Sequence, residues 1–146
     1  MNKPYSEFDE TYFKTMLENN ALYFNQHLKK FLKTKNFGIL KEPIEYSILG
    51  QGKRLRPLLC METSKVFNVT NEVAIFCAIA IECIHTYSLV HDDLPSMDDD
   101  DLRRGQLTIH KKWNEATAIL VGDALQSLGF EALSGHKFKV TDKVKN

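Results

Sequence analysis

Residues 73–93 are apolar on nearly every side when wound as a helix, and they end in two aspartates, Asp92 and Asp93. A surface helix needs one apolar stripe. A helix that is apolar all round needs neighbours on most sides, so it belongs at the centre of a packed bundle. Pro95 lacks the backbone donor to continue it. The longest uninterrupted apolar run inside it, residues 73–81, is about half of the ~20 residues that span a bilayer. A buried helix is therefore expected, with no membrane span.

The rest of the chain reads as helices that could surround this one. Residues 8–33 place Tyr12, Phe13, Met16, Leu17, Ala21, Phe24, Leu28, Phe31 and Leu32 at amphipathic helical spacing. Pro43 suits the opening of a second helix, interrupted by Gly50 and Gly52. Pro57 disfavours helix at Arg56 and opens a third through residue 67. Thr70 or Asn71 can cap the central helix, with Glu72 in its first turn. Residues 104–111 read as a connection, and Asn114 or Thr117 starts a last helix through Phe130. The expectation is an all-α antiparallel bundle over residues 1–133, followed by a lysine-rich, poorly packed tail over 134–146.

The 146 residues suit one compact domain, and 43% hydrophobic with 26% charged residues excludes general disorder. Nineteen basic and nineteen acidic side chains cancel, so no global field recruits nucleic acid or an anionic membrane. The polar first residues contain no secretory signal. Cys60, Cys77 and Cys83 are odd in number and lack zinc spacing. Reduced thiols in a cytoplasmic protein are expected.

Charge placement carries the chemistry. Asp92 and Asp93 sit at a helix C-terminus, where the macrodipole costs each carboxylate about 0.3–1 kcal/mol. Residues 98–101 add four more aspartates. Two like charges 4 Å apart repel by roughly 4 kcal/mol at an effective dielectric of 20, and a bound cation reverses that sign. Oxygen-only donors point to Mg²⁺ or a similar hard ion such as Mn²⁺, not to zinc. For Asp99, Asp100 and Asp101 alone, a solvated acidic loop is the better reading. Complementing this acid are the glycine-led turn Gly52, Lys53, Arg54, Leu55, Arg56 and Pro57, and the pair Arg103 and Arg104. Arginine grips phosphate bidentately and lysine supplies a point charge. Together they suggest two polyanions side by side, one held through metal and one by cations. His85 lies seven residues before Asp92 and Ser88 four before it, so both share its helical face.

At these residues a family becomes visible. The strings over 52–57, 82–95, 97–105 and 116–126 resemble bacterial farnesyl diphosphate synthases, in order and with the family's spacing, from about Tyr46 to Leu133. The resemblance implies an isoprenoid-synthase helical bundle, here a half barrel, and a Mg²⁺-dependent prenyltransferase. Asp92 and Asp98, with Asp93 supporting, would hold Mg²⁺ against an allylic diphosphate that Arg103 also contacts. Lys53, Arg56, His85 and Arg104 would bind isopentenyl diphosphate. The isopentenyl double bond then attacks the allylic cation, a proton leaves, and the chain grows by five carbons. Tyr87, with Ser88 beside it, would close the growing-chain pocket and favour a C15 product. The family is usually homodimeric. Its members are about twice this length, with a second aspartate-rich motif absent from these residues, so a truncated form is expected. Gln51 and Leu107 depart from the family's glycine and proline. A non-catalytic diphosphate-binding or partner subunit remains open, as does a class I terpene cyclase, against which the two basic elements argue.

Overall fold

The computed structural model describes residues 9–50 and 52–134. Helix α1, Glu10–Lys33, begins where the Asp9 carboxylate accepts from the Tyr12 amide at 3.0 Å, a cap worth about 1 kcal/mol. It buries Phe24, Leu28 and Leu32. Tyr12, expected on the apolar stripe, is 69% exposed.

A 3₁₀ turn, Gly38–Leu40, leads into α2, Lys41–Leu49, with Pro43 in its first turn as expected. Helix α3, Leu55–Val66, starts earlier than the proline suggested, so Arg56 is helical. The reason is local. Pro57 is the third residue of the helix, where an amide has no intrahelical acceptor to lose, and Arg54 absorbs the preceding bend in the left-handed region at φ 51°.

Helix α4, Asn71–Asp92, is the central element and packs against α1, α2, α3 and α6, the last being Glu115–Ser134. Ala74, Ala78, Ile79 and Cys83 of α4 meet Ala118, Val121, Leu125 and Leu128 of α6 in one buried cluster. Each buried Ile or Leu contributes roughly 1.5–3 kcal/mol. The seam is tight enough that a Cβ at Gly122 would fall 2.0 Å from His91 Nε2. Asn114 caps α6, its carboxamide oxygen accepting from the Thr117 amide at 2.8 Å.

The segment read as a bare connection is more structured. Strands β1, Leu102–Arg103, and β2, Gln106–Leu107, pair antiparallel. Arg104 and Gly105 between them both have positive φ, 54° and 76°, which is the two-residue hairpin turn whose twist matches the strands. A short helix α5, Ile109–Lys112, follows. The two strands are too short to alter the class, and the molecule is all-α as expected. By length and composition alone α4 could cross a membrane. Here it is half buried in protein, and its Glu82 is ion-paired inside. Its other flank is open, with Ile81 and Ile84 exposed. The lysine-rich end expected to be poorly packed lies, from residue 135 onward, outside the described residues.

Candidate functional site

The basic turn between α2 and α3 splits its cations in two directions. Arg54 points inward and is 5% exposed. Its guanidinium donates to Glu82 Oε1 at 2.7 Å, Asn25 Oδ1 at 2.9 Å, and the carbonyls of Ile48 and Gly50 at 2.8 and 3.0 Å. This is a fully hydrogen-bonded buried pair, the form in which a buried charge is tolerated. Lys53 and Arg56 point outward and are exposed.

Lys53 and Arg56 line an open cleft of about 560 Å³ with Gly52, His85 of α4 and Arg104 of the hairpin. Arg104 reaches the turn because Gly52 has no side chain. A Cβ there would lie 2.7 Å from Arg104 Nη1 and 2.8 Å from Arg54 Nη1. Arg56 Nη1 donates to His85 Nε2 at 3.3 Å. Burial, then the neighbouring Arg56 charge, hold the His85 imidazole below its usual pKa, so it is neutral at pH 7 and accepts. All four residues expected to bind a diphosphate by direct cationic contact are thus together.

The acidic loop folds back on the end of α4. The Asp98 amide donates to the Asp92 carbonyl at 2.8 Å, and the Asp99 amide to the Leu94 carbonyl at 3.1 Å. Asp92 is half-buried and Asp98 exposed, both at the same helix end. Their oxygen-only donor set fits a hard divalent cation. Asp93 differs. It is 4% exposed and accepts from Arg103, whose Nη2 also donates to Asp100 Oδ2 at 3.0 Å. The Asp93 hydrogen bond holds the Arg103 guanidinium above its usual pKa. In this conformation Asp93 and Arg103 anchor the hairpin to α4.

An apolar groove of about 420 Å³ adjoins the cleft, lined by Ile81, Ile84, His85, Ser88, Phe130 and Leu133 among others. Ser88 is therefore in the groove. Tyr87 is half-buried against the core, edge-on to His91 at 5.1 Å. The sequence did not reveal the Arg54–Glu82 pair, although Glu82 as the lone carboxylate inside an apolar helix was a signal. It also did not reveal the approach of His110 to Asp99 at 3.8 Å. The buried Cys83 thiol is pushed up to about 12 by desolvation, so it is not a nucleophile.

Residues 38–146 match the family model described as polyprenyl synthetase. The chain belongs to the polyprenyl synthetase family. It is 49% identical over 124 residues to farnesyl diphosphate synthase of Escherichia coli (strain K12), covering 84% of this chain and 42% of that protein. It is 41% identical over 129 residues to the chloroplastic geranylgeranyl pyrophosphate synthase of Capsicum annuum, covering 88% and 35%. The crystal structure of an FPP/GFPP synthase from Zymomonas mobilis superposes with TM-score 0.84 at 45% identity, over 92% of this chain and 49% of that one. The chain therefore spans roughly a third to half the length of these polyprenyl synthetases. The family match runs through the lysine-rich end.

Proposed function

We propose that this chain forms the N-terminal part of a Mg²⁺-dependent trans-prenyltransferase site that joins isopentenyl diphosphate to dimethylallyl or geranyl diphosphate, giving farnesyl diphosphate. The observation that carries this is the convergence of Lys53, Arg56, His85 and Arg104 on one cleft. Asp92 ends α4 seven residues after His85, a helical rise of about 10 Å at 1.5 Å per residue, and Asp98 is folded back onto it from the loop. Two anion sites at that separation fit two diphosphates better than the single one a terpene cyclase ionises.

In this reading Lys53, Arg56 and Arg104 hold the isopentenyl diphosphate, and neutral His85 orients Arg56 and can donate once protonated. Asp92 and Asp98 would hold Mg²⁺, with Mn²⁺ as a substitute. When bound, the ion neutralises charge on the departing diphosphate. Asp93 supports indirectly, by fixing Arg103 beside the acidic loop. The hydrocarbon chain would lie in the groove past Ser88, and Tyr87, packed against the core at the neighbouring position, would limit the product to C15 by turning toward that chain. We further propose a cytoplasmic homodimer, supported by the open apolar flank of α4.

Incubation with isopentenyl and dimethylallyl diphosphates plus Mg²⁺ tests this, read as C10 or C15 product. Product formation that Asp92→Asn abolishes would extend the prenyltransferase reading to this chain by itself. Mg²⁺-dependent pyrophosphate binding without product would favour the non-catalytic binding subunit. Absence of both would overturn the reading.

A further inference from the structure

Beyond Asp92 and Asp98, the acidic loop makes a second grouping that the proposed reaction does not use. Asp99, Asp101 and His110 present one ligand atom each, all within 4.8 Å of one another. Exposed carboxylates alone would mean little, but His110 is different. Its side chain is only 4% exposed. Its Nε2 has no hydrogen-bond partner, alone in this among buried side-chain nitrogens and oxygens of the described residues, and it faces Asp99 Oδ1 at 3.8 Å, beyond hydrogen-bond distance.

The tautomer sharpens the point. The Thr108 hydroxyl donates to the Asp100 carbonyl at 2.8 Å. That oxygen therefore accepts at its 3.1 Å contact with His110 Nδ1, so Nδ1 carries the proton. With Nδ1–H committed to Thr108, Nε2 is left facing carboxylate oxygens without a hydrogen bond, and a cation between them would be held by both. The Nδ1–H bond to a fixed acceptor is also how metal-binding imidazoles are oriented. Lys111 already answers part of the charge, its Nζ 2.8 Å from Asp101 Oδ1 and 3.9 Å from Asp99 Oδ1.

We propose that Asp99, Asp101 and His110 bind a divalent first-row transition ion such as Zn²⁺, at a site separate from Asp92 and Asp98. One imidazole with two carboxylates suits Zn²⁺ over Mg²⁺, because nitrogen donors favour the later ions. Bound there, the ion ties the acidic loop to α5 and fixes the hairpin that carries Arg103 and Arg104. Lys111 swings away as the ion enters. This inference does not rest on the prenyltransferase reading.

The test is a Zn²⁺ titration of the whole chain in excess Mg²⁺, following the His110 ring nitrogens by long-range ¹H–¹⁵N correlation. The His110 Nε2 signal should move and saturate near one equivalent. Asp101→Asn, at an exposed position, should weaken binding by about tenfold or more. Lys111→Ala removes a competing cation and should tighten it several-fold. Asp92→Asn should leave Zn²⁺ affinity unchanged. A His110 signal that Zn²⁺ does not move would overturn the site and leave an imidazolium or ion-pair cluster. Wild-type affinity in both Asp101→Asn and Lys111→Ala would do the same, as would loss of Zn²⁺ binding in Asp92→Asn.

Discussion

Arg54 and Arg56 are two residues apart and do opposite work, and solvent exposure decides which. Arg54 satisfies Glu82 inside the bundle, with both side chains under 5% exposed. Arg54→Met strands that carboxylate, and we expect a loss of about 3–5 kcal/mol, read as a lower urea midpoint. Arg56→Ala should leave the midpoint nearly unchanged and weaken inorganic pyrophosphate binding about tenfold, the order expected for a charge-assisted hydrogen bond of ~1.5 kcal/mol. His85 reports the same cleft. Its pKa is held below the free-histidine value, mainly by burial and then by Arg56, with Arg104 and Arg54 adding and Glu82 opposing. The unfolded chain therefore binds more protons just below pH 6.5, so this residue's contribution to stability is intact above that pH and is lost as pH falls through the folded value. Pyrophosphate favours the charged imidazole. An NMR titration should show the His85 pKa rising on adding it, and no rise would remove His85 from the anion site.

Elements meet at positions where a missing side chain matters more than any present one. His91 lies against Gly122, and its Nε2 contacts the Ile119 carbonyl at 3.1 Å. Gly122→Ala drives a methyl into that ring. We expect destabilisation of about 1–3 kcal/mol by thermal melting, partly restored in the Gly122→Ala/His91→Ala double variant because the two residues share one contact. Equal losses in single and double variants would mean the glycine serves something other than this approach. The hairpin is the other coupling element. Its Arg104–Gly105 turn carries the cleft's third outward cation, after Lys53 and Arg56, and the Arg103 bonds to Asp93 and Asp100 hold it to α4. Helix α4, the acidic loop and the cationic cleft are thereby one mechanical unit.

On the scale of the whole molecule, the bundle leaves an apolar flank facing out. Ile81, Ile84, Phe130 and Leu133 are 41, 37, 66 and 37% exposed. They line the groove beside the cleft rather than being scattered, and contiguous apolar surface that nothing fills drives association. Sedimentation should show concentration-dependent self-association that Phe130→Ser weakens. A strictly monomeric chain at high concentration would count against the homodimer.

The bundle itself was legible in the sequence because apolar periodicity and caps are local. Residues 73–93 had to be central, Asn114 was one of two candidate starts for the last helix, and family strings over 52–57 and 82–105 named the candidate site residues. What periodicity could not give was direction. Nothing local says that Arg54 turns inward and Arg56 outward, or that Arg103 meets Asp93. The same holds for the approach of His110 to Asp99. Those pairings join residues far apart in the chain or on opposite sides of a turn. They exist because the helices and hairpin pack in one arrangement, where burial makes an unpaired charge costly and chooses each partner.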